Sequence, residues 1–215
     1  MSFSPYTQNG GTALGISGKD YALVASDTRL TDENAGLLFS RQTPHIYEVT
    51  PYLRMCMTGF HGDVLTFTKL LESRIKDYRY HHKKDISLTA FANLVSVSLY
   101  SRRFFPFYVS TILAGIDENG KGAIYSYDPV GSYKREVYSA CGTSGVIVQP
   151  FMDSQIGNRD LVADCALLEK DAAIRLAKDI FISAAERDIY CGDSVVIDVI
   201  TASGIQRLSF PLRRD

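Results

Sequence analysis

The chain has 215 residues, of which 46% are hydrophobic, and a formal net charge of −1. A chain of this length can bury one sizeable core, so we expect a single domain. Its cationic residues are spread along the sequence, which argues against a nucleic-acid binder or an anionic-membrane binder. The longest nearly apolar run, 107–116, is far shorter than the ~20 residues that a membrane-spanning helix needs.

The sequence gives no strong signal for a metal, a cofactor or a disulfide. Its four cysteines, at positions 56, 141, 165 and 191, form no C-x-x-C pair, so we expect reduced, mostly buried thiols. The adjacent His81 and His82 are expected in a solvated turn rather than at a metal. The first eight residues lack the features of a secretory signal, so we expect the cytoplasm and nucleus.

The first sixty residues predict two hairpins. Residues 12–16 and 21–25 are β-prone and flank a turn composition at 17–20. Residues 44–49 and 53–58 repeat this arrangement, which predicts a second hairpin of the same sheet.

Two helices are predicted next, followed by a mixture of strands and helices. Apolar residues at three- and four-residue spacing from Val64 to Tyr78 predict an amphipathic helix, and Ser87 is expected to cap a second helix ending near 100–103. The remaining predictions are a three-stranded meander (108–116, 122–127 and 132–140), helices at 146–156 and 172–185, and strands at 194–201 and 205–210. This order indicates an α+β fold, and two antiparallel sheets stacked face to face between helical layers would satisfy it.

Several short motifs occur in one order along nearly the whole chain. They are Phe3-Ser4-Pro5-Tyr6, Asn9-Gly10-Gly11-Thr12, Ser26-Asp27-Thr28-Arg29, Ser101-Arg102-Arg103-Phe104-Phe105-Pro106, residues 117–123 and residues 127–133. Together they resemble the beta-type subunits of proteasomes, in particular a non-catalytic member. The resemblance implies a four-layer αββα sandwich of the N-terminal nucleophile hydrolase type. Residues 1–11 would be a short propeptide-like extension, retained wholly or partly, and 12–215 a single domain.

The resemblance also implies that the nucleophile is missing. In catalytic members a glycine–threonine bond is cut, and the freed threonine supplies both the hydroxyl nucleophile and the amine base. That threonine lies sixteen positions before the aspartate of the Asp-x-Arg turn. Counting back from Asp27 gives Gly11, which has no side chain.

The other positions of the family's site carry over residue by residue, although the alignment between 31 and 45 needs an insertion. Asp27 and Asp188 match the two aspartates. His45 falls on the catalytic lysine and is a weaker substitute, because histidine is near neutral at physiological pH. Thr143 and Cys191 fall on the two supporting serines. We therefore expect remnants of a site with no catalytic residue.

Each of these residues also has a structural interpretation. Asp27 and Arg29 could simply hold a turn through hydrogen bonds to the backbone. Asp188 could pair with an arginine or a backbone donor. The turn 102–106 combines arginines with aromatic residues, which suits either a solvated loop or the core of an interface.

The leading hypothesis is a non-catalytic structural subunit of the 20S proteasome core. It would contact beta subunits of its own and the facing ring and an alpha-ring subunit, within a hetero-oligomer of 28 subunits. The tail 207–215 could lie on a neighbour, so truncation after Phe210 is expected to weaken assembly and to leave the fold intact.

Two alternatives remain. The first is an active threonine protease that uses Thr12 after self-cleavage. Side chains on a strand alternate in direction, so the Thr12 hydroxyl would face the wrong side. A one-residue slip would restore it only by exposing the apolar set of the strand, at about 0.8 kcal/mol for each CH₂. The second alternative is a free-standing binding module.

Overall fold

Two five-stranded antiparallel sheets lie face to face in the computed structural model, which describes residues 6–157 and 167–214. The strands are β1 (Thr12–Ser17), β2 (Tyr21–Asp27), β3 (Leu30–Asp32), β4 (Leu37–Ser40), β5 (Ile46–Thr50), β6 (Leu53–Gly59), β7 (Val109–Ile116), β8 (Gly122–Tyr127), β9 (Tyr133–Glu136), β10 (Tyr138–Gly142), β11 (Ser194–Thr201) and β12 (Gly204–Pro211). The helices are α1 (His61–His82), α2 (Leu88–Tyr100), α3 (Gly145–Gln155) and α4 (Lys170–Ala185). The first sheet has the order β10-β1-β2-β11-β12, and the second has the order β5-β6-β7-β8-β9.

Strands at the centre of each sheet are buried on both faces. In β1, Leu14 and Ile16 pack with α3 and α4, whereas Ala13 belongs to the cluster between the two sheets. In β6, Met55 and Met57 pack with α1 and α2. The alternation therefore distributes side chains between a helical layer and the facing sheet. The αββα sandwich implied by the sequence is confirmed.

Local signals located the helices correctly. The Ser87 side chain accepts a hydrogen bond from the Ala90 N–H and caps α2, as predicted. Helix α4 buries Ala177, Ile180 and Ala184 at three- and four-residue spacing, as expected of an amphipathic helix.

Two predictions about the sheets were wrong. The hairpin β5–β6 lies in the second sheet, because β2 pairs on its free edge with β11, with Ala25 opposite Ile197. The predicted strand 132–140 is divided into β9 and β10, which belong to different sheets. Between them, the Val137 carbonyl accepts a hydrogen bond from the Ser17 N–H, at the far end of β1. The chain thus crosses from one sheet to the other at this residue.

Two smaller differences concern the surface. The short hairpin β3–β4 was not predicted. His81 and His82 are exposed but form the last turn of α1 rather than a separate turn, since the helix ends at Lys83 in the left-handed conformation.

The C-terminal tail packs against its own chain. Phe210 lies within β12, Leu212 is buried in the core beside the first sheet, and its N–H donates to the Asp193 carbonyl at 3.0 Å. The Arg213 carbonyl accepts from the Asp193 N–H at 2.9 Å. These contacts argue against the expectation that truncation after Phe210 leaves the fold intact, and the effect of that truncation stays a prediction.

The cysteines and the helices give two further findings. Cys56, Cys141 and Cys191 are free thiols, of which Cys56 and Cys191 are buried, whereas Cys165 lies outside the described residues. Within 6–157 and 167–214, no helix has the length and hydropathy needed to cross a membrane.

Candidate functional site

The space beside Gly11 is filled by the imidazole of His45. Gly11 has a φ of +89°, and a Cβ atom built on it would lie 2.7 Å from His45 Nε2 and 2.8 Å from His45 Cε1. Real Cβ atoms do not approach other heavy atoms so closely, and the neighbouring ring is itself buried. Glycine is therefore required here both by the backbone conformation and by the position of His45.

Asp27 sits at the end of β2 and is fully buried. Its Oδ1 accepts a hydrogen bond from the Thr12 N–H at 2.9 Å, and its Oδ2 accepts from the Gly192 N–H at 3.3 Å. Burial raises the pKa of this carboxyl to about 8, although the backbone donors Thr12, Gly192 and Arg29 oppose the shift. Asp27 therefore connects the head of β1 to the 188–193 loop.

His45 is uncharged at neutral pH. Burial lowers its pKa to about 4. Its Nε2 lies 3.1 Å from the Arg29 carbonyl, which can only accept, so we assign the ring proton to Nε2. The same nitrogen is 3.7 Å from Asp27 Oδ1, but a neutral ring forms no ion pair with it. His45 thus supplies no positive charge to this cluster at neutral pH.

The Thr12 hydroxyl is directed toward the loop between β10 and α3. The Ser144 N–H donates to Thr12 Oγ1 at 3.2 Å, and Thr143 Oγ1 lies 3.4 Å from the same atom. The Thr143 N–H donates to the Gly11 carbonyl at 3.0 Å. With residues 6–11 attached, the Thr12 nitrogen is an amide donor rather than a basic amine.

Asp188 and Cys191 complete the cluster from the other side. Ser144 Oγ donates to Asp188 Oδ2, the Tyr190 N–H donates to Asp188 Oδ1 at 2.9 Å, and the Cys191 N–H donates to the Asp188 carbonyl at 3.2 Å. Burial, together with the nearby charge of Asp27, raises the pKa of the Cys191 thiol well above its ordinary range. A protonated buried thiol is a poor nucleophile.

Arg29 fixes the loop that carries Asp188 and Cys191. Its Nε donates to Asp193 Oδ2 at 2.8 Å, and one terminal nitrogen donates to the Ile189 carbonyl at 2.7 Å. Both partners are buried, so this ion pair is sheltered from solvent. These contacts favour the structural interpretation of Arg29.

The segment Tyr6–Gly11, which we call the strap, lies along β3 and the end of β6. Around Asn9 there are four hydrogen bonds. The Asn9 N–H donates to the Gly59 carbonyl at 3.1 Å, and the Thr31 N–H donates to the Asn9 carbonyl at 3.0 Å. The side chain donates through Nδ2 to the Thr31 carbonyl and accepts through Oδ1 from the His61 N–H, both at 2.9 Å. The strap is thus built into the fold.

A cavity of about 510 Å³ opens beside the strap and the residue cluster. Its walls include Gln8, Gly10, Gly59, Thr143 and Asp188. The strap therefore forms one wall of a concave surface that adjoins the cluster.

All six residues suggested by the sequence, namely Gly11, Asp27, His45, Thr143, Asp188 and Cys191, come together around the head of β1. Sequence reasoning missed Asn9 and Ser144. Ser144 stands in the same Gly-Thr-Ser-Gly run as Thr143, so a hydroxyl next to a suggested position was the available signal. Within the described part of the chain, no group of three or more His, Cys, Asp or Glu residues could hold a metal ion.

The αββα fold and the residue cluster at the head of β1 together indicate the family to which this chain belongs. The proteasome subunit family matches residues 7–200, and the chain belongs to that family. It is 47% identical over 214 residues to proteasome subunit beta type-1-B of Carassius auratus, which covers 99% of this chain and 90% of that protein. It is 43% identical over 216 residues to proteasome subunit beta type-1 of Drosophila melanogaster, at 99% and 91% coverage. It is also 38% identical over 224 residues to proteasome subunit beta type-6 of Saccharomyces cerevisiae, at 99% and 92% coverage.

Proposed function

We propose that this chain is a non-catalytic subunit of a proteasome, which contributes a wall of the proteolytic chamber and cuts no substrate itself. One observation carries the proposal. The His45 ring occupies the space that a side chain at position 11 would need, and Gly11 offers no hydroxyl.

The chemistry of the surrounding groups supports this proposal. A hydroxyl nucleophile must be activated by an adjacent base or by a positively charged neighbour. At neutral pH His45 carries no charge, and the Cys191 thiol stays protonated. The Thr12 hydroxyl accepts from the Ser144 N–H and adjoins the Thr143 hydroxyl, neither of which is a base.

As a structural subunit, the chain would occupy one position of a seven-membered beta ring. Its partners would be beta subunits of the same and the facing ring and an alpha-ring subunit, in an assembly of 28 subunits in the cytoplasm and nucleus. Its role would be to complete the wall of the proteolytic chamber. Relatives named as proteasome subunits over nearly the full chain length support this assignment.

To test this proposal, the purified assembled particle is treated with an electrophile that modifies catalytic threonines. The intact mass of every subunit is then measured. We expect adducts on the catalytic siblings, which serve as the internal positive control, and none on this chain. Loss of residues 1–11 together with an adduct on Thr12 would overturn the proposal and favour the active protease.

The same sample separates the proposal from a free-standing binding module. A ring subunit co-migrates with a very large complex during size-exclusion chromatography under native conditions. Elution of the endogenous chain at its monomer mass would favour the binding module.

A further inference from the structure

We propose that a cavity at the opposite end of β1 from Gly11 binds a compact polyanion that carries two or more phosphate groups. Three cationic side chains line this cavity, namely Lys19, Lys121 and Arg135, and we call it the basic cavity. Its volume is about 380 Å³, near the lower end of the range for sites that hold small ligands. This site goes beyond the proposed function, because it concerns neither the cluster around Gly11 nor any step of proteolysis.

The basic cavity lies well away from the cluster at the head of β1. Ser17, the last residue of that strand, lines the basic cavity, whereas Thr12 is the first residue and belongs to the cluster. A strand of six residues is about 20 Å long. None of the described residues that line the cavity beside the strap also lines the basic cavity. The two cavities are therefore separate sites.

Two turns from different sheets are held together by direct backbone contact at the basic cavity. A Cβ atom built on Gly122 would overlap the Tyr21 carbonyl oxygen and would lie 2.9 Å from the Gly18 carbonyl oxygen, so glycine is required there. The Gly18 N–H donates to the Tyr21 carbonyl at 2.7 Å and closes the β1–β2 turn. This packing fixes the backbone of Lys19, next to Gly18, beside that of Lys121, next to Gly122.

One buried carboxylate, that of Asp117, holds the other two cations in place. Asp117 Oδ1 accepts from the Lys121 N–H at 3.0 Å, and the Lys121 carbonyl accepts from the Asp117 N–H at 2.9 Å. Asp117 Oδ2 accepts from one terminal nitrogen of Arg135 at 2.8 Å. The Lys121 N–H, together with Arg135, holds the pKa of the Asp117 carboxyl below its ordinary value, so this group stays ionised at neutral pH. Asp117 is therefore a positioning residue for Lys121 and Arg135.

The positive charge of the basic cavity is only partly neutralised. Lys19 and Lys121 are exposed, and neither forms an ion pair within the part of the chain that the structure describes. Glu136 also lines the cavity, but its carboxylate is bonded to Lys134 at 2.8 Å. Two lysine charges therefore remain for a ligand, beside the guanidinium of Arg135.

These features favour phosphate groups. A lysine ammonium binds phosphate as a point charge, whereas the planar guanidinium of arginine binds it through two parallel N–H donors. The three cations come from three separate segments, namely the β1–β2 turn, the β7–β8 turn and β9, so they surround the ligand and contact more than one phosphate group. The small volume limits the ligand to a compact molecule. We therefore expect tripolyphosphate to bind more tightly than inorganic phosphate.

The experiment measures the binding of sodium tripolyphosphate to the purified full chain by isothermal titration calorimetry at low ionic strength. The variants are Lys19→Ala and Lys121→Ala. Lys69→Ala is the matched control, because Lys69 is an exposed lysine of α1 that does not line the basic cavity. We expect saturable binding at one site per chain in wild type and in the control. Each of the two cavity variants should bind about fivefold more weakly, the upper range for one exposed charge pair.

A further variant separates a built site from diffuse positive charge. Asp117→Asn removes a negative charge near the ligand, so long-range electrostatics alone would strengthen binding. Because Asp117 positions Arg135 and Lys121, we expect this change instead to weaken tripolyphosphate binding about threefold or more. If Asp117→Asn fails to fold, the two lysine variants, which alter exposed side chains, still decide the question.

Three results would overturn the inference. The first is equal affinity for tripolyphosphate in wild type, Lys19→Ala and Lys121→Ala. The second is tighter binding by Asp117→Asn than by wild type. The third is tighter binding of hexaglutamate than of tripolyphosphate, which would indicate a site for acidic peptides. None of these results bears on the proposed function, whose test concerns Thr12.

Discussion

His45 and Gly11 are complementary in shape, since the imidazole stands 2.7 Å from the point at which a side chain of residue 11 would begin. A nucleophile at position 11 and a histidine at position 45 therefore exclude each other in this backbone. The packing of the buried His45 ring therefore leaves no room for a side chain at position 11.

This relationship predicts that Gly11→Ala destabilises the chain more than a glycine-to-alanine change in open space. Gly36 is the matched control, because its φ is also positive (63°) and no atom of the described residues lies within 4 Å of the added Cβ. We expect Gly36→Ala to cost about 1 kcal/mol and Gly11→Ala about 2–4 kcal/mol of unfolding free energy in urea titrations. Equal losses would contradict a steric role for His45.

A double-mutant cycle with His45→Ala tests the same contact directly. Removing the ring makes room for the new methyl group, so the double variant should be more stable than the sum of the single effects predicts. We expect a coupling energy of about 1 kcal/mol or more. Additive effects would show that the two positions do not compete for space.

Restoring the hydroxyl should not restore proteolysis. In Gly11→Thr the new side chain meets the His45 ring, and His45 is neutral, so this residue supplies no positive charge to activate the hydroxyl. We expect this variant to react with a threonine-directed electrophile far more slowly than the active subunits of the same particle, as measured by the time course of adduct mass. Reaction at the rate of those subunits would refute this expectation.

The raised pKa of Asp27 predicts a specific dependence of stability on pH. Its carboxyl has a pKa of about 8 in the folded chain and 3.8 in the unfolded chain, so between these values the folded state holds the proton and the unfolded state does not. The stability that the folded chain gains by holding this proton is complete below pH 3.8 and is lost as the pH rises toward 8.

The measurement compares wild type with Asp27→Asn, which cannot titrate. As the pH rises from 4 to 8, the unfolding free energy of the wild type should fall, relative to that of Asp27→Asn, by up to about 1.4 kcal/mol for each pH unit. His45 is present in both proteins, so its own titration cancels to first order. A difference that stays constant with pH would show that Asp27 is ionised throughout.

The exposed aromatic turn after α2 predicts a subunit contact. Phe104 is 100% exposed, so the free chain gains no packing from it, and Arg102 and Arg103 beside it are exposed as well. Arginine and aromatic residues dominate the energetic centres of interfaces. We expect Phe104→Ala to leave the melting temperature of the free chain unchanged and to lower its incorporation into particles on native gels. Normal incorporation would favour the solvated loop.

The tail should be required for stability of the isolated chain. Truncation after Phe210 removes the buried Leu212 and the carbonyl of Arg213 that accepts from Asp193. We expect a loss of at least about 2 kcal/mol in urea titrations, and a similar loss for Leu212→Ala. The control Leu37→Ala, at a site 57% exposed, should change little. A truncated chain of full stability would mean that the tail serves only its neighbours.

Local patterns were sufficient for most elements. The hairpin β1–β2 and the Ser87 cap depend on residues that are close in sequence, so composition and spacing revealed them. The crossing at Val137 could not be read in this way, because residues on both sides are β-prone and only distant partners decide which sheet each joins. The hairpin β5–β6 was assigned to the wrong sheet for the same reason.

The candidate site, too, was predicted from the sequence only in part. The residues around Gly11 were predicted from the resemblance to proteasome beta-type subunits, which spans nearly the whole chain. Asn9 and Ser144 did not, because their roles depend on contacts with His61 and Asp188, which lie 52 and 44 positions away. The residues next to an asparagine or a serine in the sequence do not reveal a hydrogen-bond partner that lies so far along the chain.

The pairing of β2 with β11 has a consequence for synthesis. Because β2 pairs with β11, one edge of β2 has no partner strand until residue 201 has left the ribosome. The backbone N–H and C=O groups along that edge therefore stay unpaired through nearly the whole of translation, and an unpaired strand edge of this kind exposes a nascent chain to aggregation during that interval.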